Sequence, residues 1–141
     1  MKRVTKAALV ISFVVVLSLP VYARSFIGIG TVGIFEPQIE PELLAPVTEE
    51  VDLSGKDSLE FKWLRRSLIG VDHYDFRLYK GYDMYGSNLI LQEKVPYNAG
   101  SIKVKADLFE IDQVYTWSLV RVADNGNKSE KSFYSFRVAK K

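Results

Sequence analysis

The feature that most constrains this chain is a series of short segments in which apolar and polar residues alternate. After residue 23 no stretch shows the 3.6-residue periodicity of an amphipathic helix, whereas period-2 alternation recurs in runs that end at turn residues. Alternate side chains of a strand point to opposite faces, so each run predicts a strand with one dry face. The predicted strands are Val47–Leu53, Leu59–Trp63, Tyr74–Leu78, Leu89–Val95, Ile102–Leu108, Tyr115–Leu119 and Phe133–Val138.

Seven short strands predict an all-β domain in which two antiparallel sheets pack face to face and bury their dry faces. The chain has no cysteine, so no disulfide can support this core. Large aromatic residues in phase with apolar neighbours should fill it, and we expect Trp63 and Trp117 on opposing sheets. The predicted core residues are Phe61, Trp63, Tyr74, Phe76, Tyr115 and Trp117.

The order of several local motifs narrows the fold further. Pro46 precedes a weak first strand, Leu59–Trp63 carries an aromatic core pattern, and Phe109–Tyr115 has the character of a corner before the sixth strand. Asp124–Asn127 predicts the last hairpin turn, because Asn-Gly accepts positive φ at little cost. Together these motifs make residues 43 to 139 resemble a fibronectin type III domain, which implies a seven-stranded antiparallel immunoglobulin-like sandwich.

The resemblance assigns a structural role to Tyr115, whose hydroxyl would bond back to upstream backbone as the corner tyrosine. The family usually has Pro-Gly in this corner, where the present chain has Ile111-Asp112; aspartate can adopt the left-handed backbone that glycine adopts freely. No Arg-Gly-Asp tripeptide occurs, so the resemblance does not imply integrin binding.

The alternation slips after Leu119. Arg121 would point into the core unless a bulge near Val120 places Val120 or Val122 there instead.

The N-terminal segment predicts export. A basic start with Lys2, Arg3 and Lys6 precedes the uncharged apolar run 7–19, and Pro20 and Ala23 fit a signal-peptide cleavage region. The run is 13 residues long and a bilayer needs about 20, so we expect cleavage rather than anchoring. The predicted organisation is a signal peptide at 1–23, a Gly-rich leader and Pro-rich linker at 24–42, and a domain at 43–141. The expected location is periplasmic, extracellular or at the cell surface, with membrane contact during export alone.

Charge argues against a nucleic-acid partner. The chain has 19 basic and 17 acidic residues, and three basic ones lie in the predicted signal peptide. Its removal leaves 16 basic against 17 acidic residues, a net charge of −1, with no block of like charge that could follow a phosphate backbone.

Residues 28–33 match G-x-G-x-x-G, a pattern that binds dinucleotides when a strand precedes it and a helix follows. Here a signal peptide precedes it and a proline-rich linker follows, so we interpret the segment as a leader. Apolar residues at 26–35 also allow it to pair as a strand with a partner's sheet edge.

The chain has few residues suited to catalysis or metal binding. His73 is its one histidine and has Asp72 and Asp75 nearby in sequence, but an exposed histidine is the simpler interpretation. Asp124, Asn127 and Glu130 do not fit the EF-hand pattern. We therefore expect no cofactor, no metal site and no catalytic residues, and a protein that is not an enzyme.

A cluster of aromatic residues is the predicted binding site. Tyr79, Tyr82, Met84 and Tyr85 lie within seven residues, beside Gly81 and Gly86. Tyrosine is rigid and amphipathic, so exposed rings can anchor a protein or stack on a sugar. The sequence favours a binding or spacer module with a protein partner, and leaves a carbohydrate-binding module open. Alternatively, Tyr82 and Tyr85 lie over Leu89 or Leu91 and close the sandwich edge.

Overall fold

A computed structural model describes residues 39–65 and 70–141 of the chain. The signal peptide, the G-x-G-x-x-G segment and the strand-pairing segment 26–35 lie outside the described residues. Within them, no helix has the length and apolar character needed to cross a bilayer. The described residues form eight strands: β1 (Leu43–Ala45), β2 (Glu50–Asp52), β3 (Ser58–Trp63), β4 (Val71–Lys80), β5 (Leu89–Pro96), β6 (Ser101–Lys105), β7 (Val114–Ala123) and β8 (Ser132–Lys140).

The strands form two sheets, as the alternation predicts. One sheet has three strands in the order β1-β3-β6, and the other has five in the order β2-β8-β7-β4-β5. The prediction of an all-β sandwich is confirmed, but the prediction of seven strands that all pair antiparallel is wrong. The described part of the chain has eight, and β2 pairs in parallel with β8.

The difference in strand number arises near Pro46. The predicted first strand, Val47–Leu53, is replaced by β1 on the three-stranded sheet and β2 on the five-stranded sheet. Pro46 lies between them and has no amide hydrogen, so it cannot donate to a ladder. Other boundaries differ as well: β4, β7 and β8 extend beyond the predicted strands. The predicted strand Ile102–Leu108 is too long at its end, because β6 ends at Lys105 and Ala106–Leu108 forms a single 3-10 turn.

The aromatic core lies between the two sheets. Phe61 of β3 has its ring centroid 5.1 Å from those of both Phe76 and Trp117, each packed edge to face. Trp63 packs against Tyr74, with centroids 5.4 Å apart. All six residues expected in the core are almost fully buried: Phe61, Trp63, Tyr74, Phe76, Tyr115 and Trp117. The two tryptophans lie on opposite sheets, Trp63 on β3 and Trp117 on β7.

Arg121 points into the sandwich and is completely buried. It pairs across the sheet with the core residue Tyr74. The pairing of β4 with β7 is irregular at Asp72, an extra residue in β4, and not at Val120. Arg121 therefore stays in phase with the core positions of β7, and Val122 is buried as well.

Residues 39–42, predicted as linker, are hydrogen-bonded to the sandwich. Arg121 Nη1 donates to the Ile39 carbonyl at 2.5 Å, and the Ser132 hydroxyl donates to the Pro41 carbonyl. The Leu64 amide donates to the Glu42 carbonyl at 2.8 Å. The chain is thus fixed to the domain from Ile39 onward.

The corner before β7 forms as the resemblance implies. The Glu110 amide donates to the Tyr115 hydroxyl at 2.8 Å. Asp112 has a φ of 62°, the left-handed conformation expected where the family has glycine. Both features confirm Tyr115 as the corner tyrosine.

We expect Tyr115→Phe to lower the free energy of unfolding by about 1–3 kcal/mol, because the part-buried Glu110 amide loses its acceptor while the ring packing remains. Urea denaturation of both proteins measures the difference. Tyr134→Phe is a suitable control, since no hydrogen bond of the described residues uses the Tyr134 hydroxyl. An unchanged midpoint for Tyr115→Phe would contradict the corner assignment.

Candidate functional site

The tyrosine loop, residues Gly81–Asn88, connects β4 to β5 and is fixed at both ends. The Gly81 amide donates to the Val114 carbonyl at 2.7 Å, and the Gly81 carbonyl accepts the Thr116 hydroxyl at 2.7 Å. At the other end Gly86–Asn88 forms a 3-10 turn, and Asn88 Nδ2 donates to the Asp83 carbonyl at 3.2 Å. Gly81 has a φ of 91°, which explains why glycine suits the start of the loop.

The loop presents two aromatic rings to solvent. Tyr82 is 69% exposed and Tyr85 is 68% exposed, and Met84 is partly buried. Such exposure contradicts the alternative in which both rings lie over Leu89 or Leu91. A tyrosine that is two-thirds exposed contributes little to its own fold, so these rings are available to a partner.

Tyr79 differs from the other predicted binding residues. Its expected position on the outer face of β4 is correct, because it pairs across the sheet with Thr116. Yet Tyr79 is only 2% exposed, so it cannot serve as an exposed ring of the binding site. The alternation specifies the face of a sheet but cannot tell whether neighbouring side chains cover it.

A groove of about 470 Å³ lies beside Tyr82 on the β2–β8 edge of the five-stranded sheet. Its lining comprises two glutamates, one arginine, one serine and two aromatic residues, of which Phe136 belongs to the core. The lining residues are Glu49, Glu50, Tyr82, Ser135, Phe136 and Arg137. Of these residues only Tyr82 is predicted as a binding residue from the sequence, because the β2–β8 pairing brings together residues more than 80 positions apart.

Hydrogen bonds connect the floor of the groove to the tyrosine loop. The Thr116 hydroxyl donates to the Gly81 carbonyl and lies 2.7 Å from the Ser135 hydroxyl. A hydroxyl has one hydrogen, so Ser135 must donate to Thr116. The lone pairs of Ser135 Oγ then remain as acceptors on the groove lining.

An ion pair near the base of the tyrosine loop connects the end of β4 to Glu110. Lys80 Nζ lies 2.8 Å from Glu110 Oε1, and this hydrogen bond raises the pKa of Lys80. Both side chains are well exposed, so the contact orients the end of β4 more than it stabilises the fold.

The remaining chemical candidates lie elsewhere. His73 Nδ1 lies 2.7 Å from Asp72 Oδ2, and Lys94 Nζ lies 3.1 Å from the same oxygen. These contacts lower the pKa of Asp72, the hydrogen bond to His73 most of all.

Asp124–Asn127 forms the predicted hairpin turn, in which the Ala123 amide donates to the Asn127 carbonyl. In residues 39–65 and 70–141, no group of three or more His, Cys, Asp or Glu residues is placed to hold a metal.

Sequence comparison does not identify relatives. No protein-family model matches the chain, and no curated protein is significantly similar to it.

Comparison of the fold does find similar structures. The FN1–FN3 domains of chicken CNTN1 match with a TM-score of 0.54 at 12% identity, over 73% of this chain and 31% of that one. The fibronectin(III)-like modules of Clostridium thermocellum CbhA match with a TM-score of 0.51 at 17% identity, over 71% of this chain and 97% of that one. The spore cortex lytic enzyme SleM of Clostridium perfringens matches with a TM-score of 0.50 at 13% identity, over 71% of this chain and 28% of that one.

This chain thus covers less than a third of two of these structures and nearly all of the third. At such low identities the similarity shows the fold, which is fibronectin type III-like.

Proposed function

We propose that this chain is an exported, non-catalytic module that binds a protein partner through the tyrosine loop. The observation that carries the proposal is the exposure of Tyr82 and Tyr85 on a loop whose backbone is hydrogen-bonded at both ends. Tyrosine rings held in advance lose little conformational freedom on binding, and such residues commonly dominate the energy of protein interfaces.

The proposed location is the periplasm, the extracellular space or the cell surface. It rests on the basic and apolar segments of residues 1–23. The fibronectin type III-like fold is compatible with a binding or spacer module and does not by itself specify a partner.

The paired variant Tyr82→Ser, Tyr85→Ser should lose its partner and keep its stability. Both rings are exposed, so we expect the free energy of unfolding to change by less than about 0.5 kcal/mol. Removal of two anchor residues from an interface should weaken partner binding at least about tenfold. The measurement is quantitative capture of partners from the native host on the immobilised protein, with thermal melting recorded for each variant.

Tyr97→Ser provides the matched control. Tyr97 is 55% exposed and follows β5, whereas the tyrosine loop precedes that strand. We expect this variant to capture the same partners as the unsubstituted protein. Equal capture by all three proteins would contradict the proposal, and so would a paired variant that melts several degrees lower while it retains its partner.

A glycan array distinguishes the carbohydrate-binding alternative. Specific glycan binding that disappears in the paired variant and persists in Tyr97→Ser would assign the loop to carbohydrate recognition and overturn the protein-partner proposal.

A further inference from the structure

Three of the six residues that line the groove beside Tyr82 have side chains that accept hydrogen bonds. Glu49 and Glu50 contribute carboxylates, and Ser135 contributes a hydroxyl whose hydrogen is already donated to Thr116. Arg137 is the one cationic side chain among the lining residues. The lining therefore carries two negative charges and one positive charge.

The charges of the groove are not neutralised by one another. No ion pair of the described residues includes Glu49, Glu50 or Arg137. Glu50 and Arg137 occupy paired positions of β2 and β8 and still lie beyond ion-pair distance. The lining carries one more negative than positive charge, and a bound cation would offset that excess.

The aromatic wall of the groove points to the same ligand chemistry. Tyr82 lines the groove and is mostly exposed, so a face of its ring can receive a cation. A lysine ammonium or arginine guanidinium has donors for the carboxylates and for Ser135 Oγ, and has an apolar stem that can lie along the ring.

From these groups we infer that the groove beside Tyr82 receives a lysine or arginine side chain of the protein partner. The inference rests on the proposed function, since the tyrosine loop forms one wall of the groove. Arg137, which carries the opposite charge, would donate hydrogen bonds to a carbonyl or carboxylate oxygen of the partner next to that side chain. A neutral sugar could stack on Tyr82 but would leave the two carboxylates without a counter-charge.

The test titrates the protein with pentalysine and, separately, with pentaglutamate, while backbone amide NMR shifts are recorded. We expect pentalysine to shift amides at Glu49–Glu50, Ser135–Arg137 and Gly81–Asn88. Because the contact is between charges, its apparent affinity should fall as salt is raised from about 0.05 to 0.5 M.

The key variant is Glu49→Gln, Glu50→Gln, which keeps the shape of the groove and removes its negative charge. We expect it to weaken pentalysine binding by roughly fivefold or more, because two charge contacts are lost. Tyr82→Ser should weaken binding by roughly threefold. The matched control is Glu93→Gln, Glu130→Gln, which makes the same charge change at exposed positions outside the groove lining and should alter binding by less than about twofold.

The outcomes separate this inference from the proposed function. The inference of a cationic ligand would be overturned if pentaglutamate bound as tightly as pentalysine. It would also be overturned if the groove variant and the control variant lost pentalysine affinity equally. Cellohexaose or chitohexaose shifting the groove amides where pentalysine does not would assign the groove to glycans. If Tyr82→Ser, Tyr85→Ser loses its partner while Glu49→Gln, Glu50→Gln retains it, the proposed function stands and this inference fails.

Discussion

Replacement of Trp117 by alanine is expected to lower the free energy of unfolding by about 3–5 kcal/mol, the usual cost of removing a large core side chain. The indole is completely buried and packs against the rings of Phe61 and Phe76. A domain of this size is ordinarily stable by about 5–15 kcal/mol, and this chain has no disulfide to limit the loss. Urea denaturation followed by the emission of Trp63 measures the change.

Phenylalanine replacements distinguish hydrogen bonding from packing at the two tryptophans. Trp117 Nε1 donates to the buried Pro46 carbonyl at 3.0 Å, whereas Trp63 Nε1 is buried without a partner among the described residues. Trp117→Phe loses a buried hydrogen bond as well as ring volume, so it should cost about 1–3 kcal/mol more than Trp63→Phe. Equal costs, or a larger cost at Trp63, would contradict this view of the core.

Arg121→Met is expected to raise the free energy of unfolding by about 1–4 kcal/mol. The guanidinium is fully buried, and its Nε and Nη2 have no partner within the described residues. A buried charge with unmade hydrogen bonds is costly, and methionine can fill the same elongated space without polar atoms. The bond to the Ile39 carbonyl is also lost, so the expected gain is net of that loss.

Arg137→Met serves as the control for Arg121→Met, since Arg137 lies on the exposed face of β8 and should change stability by less than about 0.5 kcal/mol. Denaturation midpoints in urea compare the three proteins. If Arg121→Met instead lowered the free energy of unfolding by more than about 1 kcal/mol, the buried guanidinium would have its hydrogen bonds made and would stabilise the fold.

Features with a strong local signal could be predicted from the sequence. Period-2 alternation identified β3, β4 and β7 because their inner residues are large and apolar, as at Phe61, Phe76 and Trp117. The corner was recognisable through the resemblance from Phe109–Tyr115, although Ile111-Asp112 stands where the family has Pro-Gly. Asp112 adopts the left-handed backbone, and the Tyr115 hydroxyl accepts the upstream Glu110 amide.

Features that depend on strand pairing could not be predicted. The separation of β1 from β2 follows from which sheet each strand joins, and three-residue strands show almost no periodicity. The groove beside Tyr82 requires β2 to lie beside β8, a pairing that brings Glu50 opposite Arg137. The burial of Tyr79 depends on outer-face neighbours that alternation does not specify.

Amide NMR mapping of a captured partner on the protein tests most directly whether the tyrosine loop is the binding site. We expect the largest shifts at Gly81–Asn88, with further shifts at Glu49–Glu50 and Ser135–Arg137. Shifts centred instead on Tyr97 or on the hairpin turn Asp124–Asn127, with the tyrosine loop unaffected, would contradict it.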